Sequence, residues 1–556
     1  MTDPFIPVPV DDPLQLAWFE CNDYGNARRL SVLAKGLLKW VDDAAWVAFD
    51  GRRWSEREGA FRAHTLAHQV AQHVHEELAA LGDLIGDPKN PNAKPLSDRY
   101  GAWCTPTLAL EHLKKLSRHA LDSGNANKTR AMLSQAQNLP GMRGWSEDFD
   151  VDPLTYNLAN GTLRFKKKDG PSTGSGRAEA GEWVAVFREG HEPTDMLCRI
   201  AEWAYDPKAT CPVWEQRLEL VQPDASVRAV LPRMYGQTLT GLTDSEEFYV
   251  HKGRGGDGKT KTHEILLHGH GDYGCTAAVS TWLQSSIQRG GAEHRRDLVD
   301  LAGDVRFVLS AEPPRNSTWD GALLKEWTGG GEIKAFQAGA KAATVFKPRG
   351  NLFVEVNPTP KMPGDDKGFR RRLRLTQWTV DLEAIPGGYE SPTAVREKLW
   401  AESSGILNWL IAGCLDWLGD RKVPVPEPER EALADFWNNG NPLGEWLAEE
   451  CDVTDRMAET GSTLLWQAFK AWMERGEAID EETRKKWNTT RFGTELSQRQ
   501  IIARKTRGMK MRVGIRLLGA GDLLGGVSGA AAQHSPPSPQ ATDDFDDDLD
   551  PFGAPR

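Results

Sequence analysis

Residues 253–260 carry the densest chemical signal of the chain. Gly253-Arg254-Gly255-Gly256-Asp257-Gly258-Lys259-Thr260 fits the spacing GxxxxGK[ST]. Glycines at these places let backbone N–H groups turn toward phosphate oxygens, and the N-terminus of a following helix favours an anion. In this reading Lys259 reaches the β- and γ-phosphates of ATP, the Thr260 hydroxyl binds Mg2+, and Lys261 leads into the helix. The same stretch fits GxGxxG at Gly253, Gly255 and Gly258, a dinucleotide signature. That alternative is weaker, because Lys-Thr follows at once and no acidic residue stands at a strand end about 20 residues on. A chance glycine-rich turn is the third reading. The β-like run Glu247–His251 before it and the helical pattern Lys261–Leu267 after it count against chance.

Such a loop hydrolyses nothing alone. It needs an acidic residue at a neighbouring strand end and a polar group that positions water. Arg306-Phe-Val-Leu-Ser-Ala-Glu312 is an apolar run ending in Glu312, the candidate for polarising water and, with Thr260, for the metal. Asn351-Leu-Phe-Val-Glu-Val-Asn357 ends in Asn357, suited to orient water against the γ-phosphate. Taken singly, either is equally a strand-end capping residue. The segment Asp366–Arg374 holds Arg370, Arg371, Arg372 and Arg374. An arginine that stabilises γ-phosphate charge in trans belongs there; the plain alternative is a solvated basic loop or one touching DNA. His263 and His268 are spaced i, i+5 rather than the i, i+4 of a zinc-protease helix, so they read as ordinary helix residues.

These groups need a frame. From Glu247 to Trp378 short β-rich runs (Phe248–His251, Val305–Ser310, Leu352–Val356) alternate with helical stretches, the pattern of an α/β sheet flanked by helices. Upstream, a helical pattern covers Asn26–Trp40 and a strand-like run Ala45–Asp50, and Asp87–Lys94 is a polar boundary loop. An Asn-Gly turn ending at Gly161 precedes a strand over Thr162–Lys166; Lys168–Gly181 is glycine-rich, and helical segments fill Pro193–Leu239. The expected division is an N-terminal domain over 1–90, a helical and β domain over 91–215, the ATPase domain over 216–425, a small domain over 430–518, and a disordered acidic tail over 519–556.

The 556 residues carry a formal net charge of −11. Residues 484–516 hold +10 and residues 541–556 hold −5, leaving −16 for the rest. The acidic total excludes a uniformly basic nucleic-acid coat but not a local basic module. No apolar run of about 18 residues exists, so no membrane span is expected. The N-terminus lacks a basic, then apolar, secretory pattern. Seven scattered cysteines without a CxxC pair suit a reducing cytoplasm.

The order of these segments resembles the superfamily 3 helicases, in the phage and poxvirus-type primase–helicase family. Asp152-Pro-Leu-Thr-Tyr-Asn157, Asn160-Gly161-Thr-Leu163, Tyr205–Trp214 and Tyr235–Gly241 are similar to that family's lead-in. Asp23–Leu30 and Trp46–Trp54 are similar to segments of phage members. Leu324–Ile333 resembles a motif built on Lys and Thr-Gly-Gly-Asp, with Lys325 kept, Gly331 in place of the Asp, and Glu332 beside it. The resemblance implies an AAA+-like ATPase core that assembles as a hexameric ring, translocates on single-stranded DNA and unwinds forked duplex for a phage or mobile element in a bacterial cytoplasm. It places the in-trans arginine at Arg371 or Arg372 rather than Arg370, and DNA contacts at Lys325, Lys334 and Lys341. A P-loop ATPase acting as a non-translocating, DNA-bound switch is the rival. Primase activity is not expected: Asp148, Asp150 and Asp152 lie in a linker, and about 90 N-terminal residues are too few for that domain.

The small domain carries eleven Lys/Arg and one acid, Glu495, between Arg484 and Arg516. Leu464–Trp472 suits an amphipathic helix. Arg504–Leu517 alternates basic and apolar residues as a hairpin wing does, and the resemblance suggests a winged helix contacting DNA through Arg504, Lys505 and Arg507. Asp543–Phe552 is similar to the acidic tip of bacterial single-stranded DNA-binding proteins. It would dock on a replication partner, or serve as a solubilising tail.

Overall fold

The computed structural model describes residues 12–86, 96–168, 182–284 and 295–518, except 316, 337–342, 358, 362–365, 387, 389, 440–441, 477–478, 480 and 507. The boundary loop at 87–94, most of the glycine-rich loop at 168–181, Lys341, Arg507 and the acidic tail lie outside the described residues. The chain divides into two units, Met1–Asn441 and Pro442–Arg556. No helix among the described residues is long and apolar enough to cross a membrane.

The first unit begins with a helix over Asp23–Ala34, capped by Asn22, whose side chain accepts from Gly25 N at 2.8 Å. The helical pattern predicted through Trp40 stops early. Lys35 takes a left-handed φ of 48°, and Leu38–Val41 leaves as a strand. That strand pairs with Ala45–Phe49 and Arg143–Gly144 in a small sheet covered by the long helix Glu56–Gly86. Arg29 and Glu77 are both buried here and bonded at 2.8–3.0 Å, the partnering a buried charge requires. Next, Thr155–Leu158, Gly161–Lys167 and Trp183–Glu189 form an antiparallel meander around the expected Asn-Gly turn. Of the helical stretch expected over Pro193–Leu239, only Pro212–Val221 and Ala225–Gly236 are α-helices. The preceding segment is held by side-chain bonds to loop carbonyls, as from Asn160 to Tyr205 O at 2.9 Å.

The centre of this unit is a five-stranded sheet. Its elements in chain order are β1 (Phe248–Gly253), α1 (Lys259–His270), β2 (Gly274–Thr276), β3 (Phe307–Ala311), α2 (Gly321–Thr328), β4 (Asn351–Val356) and β5 (Leu373–Trp378). The strand order is β5-β1-β4-β3-β2, parallel throughout. Parallel sheets bury both faces, and the strands read accordingly as near-continuous apolar runs. Tyr249, Phe307 and Phe353 belong to the core on one face, and Phe248, Val250, Val308, Leu352 and Val354 to the core on the other. Period-two alternation along each strand makes this split. The first core also takes in Leu231 and Met234 of Ala225–Gly236, and Leu407 and Leu410 of the helix Ser403–Asp420. The basic segment Asp366–Arg374 runs into β5, so Arg374 is buried rather than solvated. It bonds Glu429 at 2.8 and 2.7 Å, which fixes the helix Glu427–Asn439 on the sheet.

In the second unit, Leu443, Trp446, Leu465, Phe469, Phe492 and Leu496 form the core. They come from the helices Pro442–Glu450, Ser462–Arg475 and Thr489–Gln498. Ile502–Thr506 and Met509–Val513 pair as a hairpin, joined on its second strand by Glu459–Gly461.

Candidate functional site

The glycine-rich loop connects β1 to α1, at the carboxyl end of a central strand. Gly255, Gly256 and Gly258 have φ of 95°, 67° and 87°, conformations that L side chains rarely adopt. A Cβ on Gly253 would collide with the Asp257 carboxylate, and one on Gly258 with Val221 Cγ1. The loop closes on Asp257. Its carboxylate accepts from Gly255 N at 3.3 Å, Lys259 N at 3.2 Å and Lys259 Nζ at 2.8 Å. Lys259 is buried, and its Nζ also donates to Asn357 Oδ1 at 3.2 Å. The lysine that follows β1 and the asparagine that follows β4, both singled out from the sequence, therefore meet. Lys261 turns outward along its helix and pairs with Glu264 at 2.6 Å.

A further residue completes this end of the sheet. Glu355 of β4 is buried; it accepts from Thr260 Oγ1 at 2.7 Å and meets His263 Nδ1 at 2.6 Å. The other nitrogen of His263 lies 2.9 Å from the Tyr235 hydroxyl. Burial pushes the Glu355 carboxyl up, but the His263 and Thr260 bonds and the field of Lys259 outweigh it and hold its pKa below the ordinary value. Sequence spacing reads His263 as an ordinary helix residue and does not single out Glu355; the structure brings both to the loop. A signal was present: a carboxylate inside the apolar run Asn351–Val356 needs a partner.

Glu312 follows β3 directly. It is exposed, takes a left-handed φ of 58°, and its N–H donates to Glu355 O at 3.0 Å. A non-glycine residue held in that region stores strain that surrounding structure must offset. Glu312, Glu355, Asn357 and residues 255–261 border one cavity of about 250 Å3, together with Arg217, Leu382, Glu390, Pro392 and Val395.

Arg371 and Arg372 do not line this cavity. Both donate to Glu246, at 2.8 and 3.0 Å. Arg371 is exposed, whereas Arg372 is buried and spends further donors on Thr328 Oγ1 and Gly368 O, both at 3.0 Å. Lys325 pairs with Asp366 at 2.6 Å, which holds the Asp366 carboxyl below its usual pKa. Lys334 is exposed on Ile333–Ala335, a strand antiparallel to Thr344–Phe346. Arg504 and Lys505 are exposed on the hairpin of the second unit, Arg504 bonded to Glu459 at 3.0 Å.

Residues 31–223 match the family described as "D5 N terminal like". "Putative helicase L207/L206" of Acanthamoeba polyphaga mimivirus is 23% identical over 339 residues, 60% of this chain and 32% of that protein. "Putative helicase 022R" of Frog virus 3 (isolate Goorha) is 22% identical over 264 residues, 45% of this chain and 27% of that protein. The family match and the two viral relatives support a D5-type helicase family for this chain. It spans about a third of the length of the curated relatives it matches. Among solved structures, the apo C-terminal region of NrS-1 is 12% identical with a TM-score of 0.38, over 91% of this chain and 100% of that one. A shorter piece of that region, residues 305–718, is also 12% identical, with a TM-score of 0.32 over 65% of this chain and 85% of its own.

Proposed function

We propose that this chain is an ATP-dependent DNA helicase whose motor is the five-stranded unit. In this reading the loop Gly253–Gly258 is a P-loop within an AAA+-like core, and ATP occupies the cavity beside it. The observation that carries the reading is the meeting of four groups across adjacent parallel strands. Lys259 Nζ lies 3.2 Å from Asn357 of β4, and the Thr260 hydroxyl lies 2.7 Å from Glu355. A cation, a hydroxyl, a carboxylate and an amide at the carboxyl ends of two central strands are what binding and cleaving a phosphoanhydride require.

Mg2+ takes oxygen ligands, and the Thr260 hydroxyl with the carboxylates of Glu312 and Glu355 supplies such donors around one cavity. When bound, the ion would neutralise phosphate charge. The chain's own residues do the rest. Lys259 would leave Asp257 for the β- and γ-phosphates, Asn357 would orient water, and Glu312 would polarise it. Arg371, exposed and away from its own cavity, suits a finger offered to a neighbouring copy in a ring, and Arg372 shores it up through Glu246. Lys325, Lys334 and Lys341 would face the translocating strand. The second unit would act as a winged helix on DNA through Arg504, Lys505 and Arg507, and the acidic tail would dock on a replication partner.

The test is ATP hydrolysis with and without single-stranded DNA, and unwinding of a forked duplex, for the wild type and Lys259→Ala. The wild type is expected to do both, and Lys259→Ala to lose both by at least a hundredfold, on the order of 3 kcal/mol of transition-state stabilisation. Hydrolysis without unwinding would favour the DNA-bound switch. Unwinding that survives Lys259→Ala would overturn the assignment.

A further inference from the structure

Arg217 lies in the helix Pro212–Val221, outside the sheet and before β1 in the chain. It borders the cavity of the glycine-rich loop and also a neighbouring cavity of about 300 Å3 lined by Val213, Gln216, Leu220 and Lys398. Its Nε is buried and has no hydrogen-bond partner among the described residues. Burial pulls its pKa below the usual arginine value. Glu390 acts on it only through its field and is itself paired with Lys398. The helix is pressed onto the loop: a Cβ on Gly258 would collide with Val221 and lie 3.2 Å from Arg217 Nη2. The cations of the cavity thus differ, Lys261 being paired with Glu264. Lys259 already has Asp257 and Asn357, whereas Arg217 faces Gly258 with its Nε unmet.

A guanidinium withdrawn from water is costly until an anion meets it, and its planar fork matches two oxygens of a phosphate. In loops of this spacing the backbone cradles the α- and β-phosphates, and the lysine reaches the β- and γ-phosphates. We propose that Arg217 is a nucleotide-binding residue, its guanidinium taking phosphate oxygens on the α/β side of the loop at Gly258. This rests on the nucleotide reading of the loop. It also ties Pro212–Val221 to occupancy of the site: with nucleotide bound, the helix holds the ligand and the loop together.

The test is titration of the full chain with fluorescent ATP and fluorescent ADP in Mg2+, for the wild type, Lys259→Ala, Arg217→Ala and Arg217→Lys, with the melting temperature of each unliganded protein. Arg217→Ala is expected to weaken ATP and ADP by the same factor, about tenfold or more, as loss of a charged hydrogen bond does. Its unliganded melting temperature is expected to stay level or rise, because a half-buried cation whose Nε is unmet is gone. Arg217→Lys should recover part of the affinity. If the wild type binds neither nucleotide, the loop reading fails and this inference with it. If the wild type binds, Lys259→Ala does not, and Arg217→Ala binds as the wild type does, this inference alone is overturned. Loss confined to ATP also overturns it, as does a fall in unliganded stability with affinity intact.

Discussion

Glu355 stands in a strand whose every residue is buried, where a carboxylate costs several kcal/mol unless it is bonded. It is bonded twice, to Thr260 and His263. Replacing it with Gln removes the charge and sets an amide N–H2 against one of two former donors. Glu355→Gln is expected to lower stability at neutral pH by about 1–3 kcal/mol. The pH dependence has a definite sign. The Glu355 pKa is lowered on folding, so its contribution is complete above the ordinary carboxylate value and is lost as pH falls through the lower folded value. Denaturant midpoints of wild type and variant should therefore draw together as pH falls below the ordinary carboxylate value; a gap that does not narrow with falling pH would show that packing, not charge, sets the cost. Residues 253–260 were legible because their chemistry lies in local spacing, and Glu312 and Asn357 because they end apolar runs. Glu355, His263 and Arg217 were not. Glu355 meets His263 across 92 positions and Thr260 across 95, and only tertiary packing brings such residues together.

At the scale of elements, the helices Ala225–Gly236 and Ser403–Asp420 cross backbone to backbone. A Cβ on Gly413 would collide with Pro232 O, and one on Gly236 would lie 2.5 Å from Cys414 N and Leu410 O. Main chain cannot rotate away as a side chain can. Gly413→Ala is expected to cost about 1–3 kcal/mol or more, read as a lower denaturant midpoint. Gly419 lies in the same helix with nothing within 4 Å of an added Cβ. Gly419→Ala should be neutral or stabilising by up to about 1 kcal/mol. Equal effects at the two sites would mean that helix propensity, not the crossing, governs this pair. The sequence shows each helix through its apolar spacing but not which glycines touch, since contact depends on a partner about 180 positions away. The same limit explains the first helix. Leu30, Leu33, Leu37 and Leu38 continue an apolar pattern past Ala34, and the left-handed turn at Lys35 and Gly36 separates helix from strand.

At the scale of the molecule, the net charge of −11 conceals opposed regions, with +10 between Arg484 and Arg516. Not all of that charge is available to a polyanion. Arg512 is buried and donates to Ile501 O at 3.0 Å, Ser497 Oγ at 2.8 Å and Gly493 O at 2.8 Å, so it holds the hairpin to the helix Thr489–Gln498. Arg504 and Lys505 project from the same hairpin into solvent. If the second unit binds DNA through phosphates, affinity falls with salt through counterion release, each phosphate contact adding about 0.9 to the log–log slope. Replacing Arg504 and Lys505 with Gln is then expected to reduce that slope by about 2 while leaving the melting temperature in place. Arg512→Gln should do the reverse: it leaves three acceptors unmet, lowers the melting temperature, and under folding conditions keeps the wild-type slope. Titration of labelled duplex over a series of salt concentrations separates the two variants. A slope unchanged by the Arg504 and Lys505 replacements would take the hairpin out of the DNA interface and move the salt-dependent contacts to the exposed lysines of the first unit.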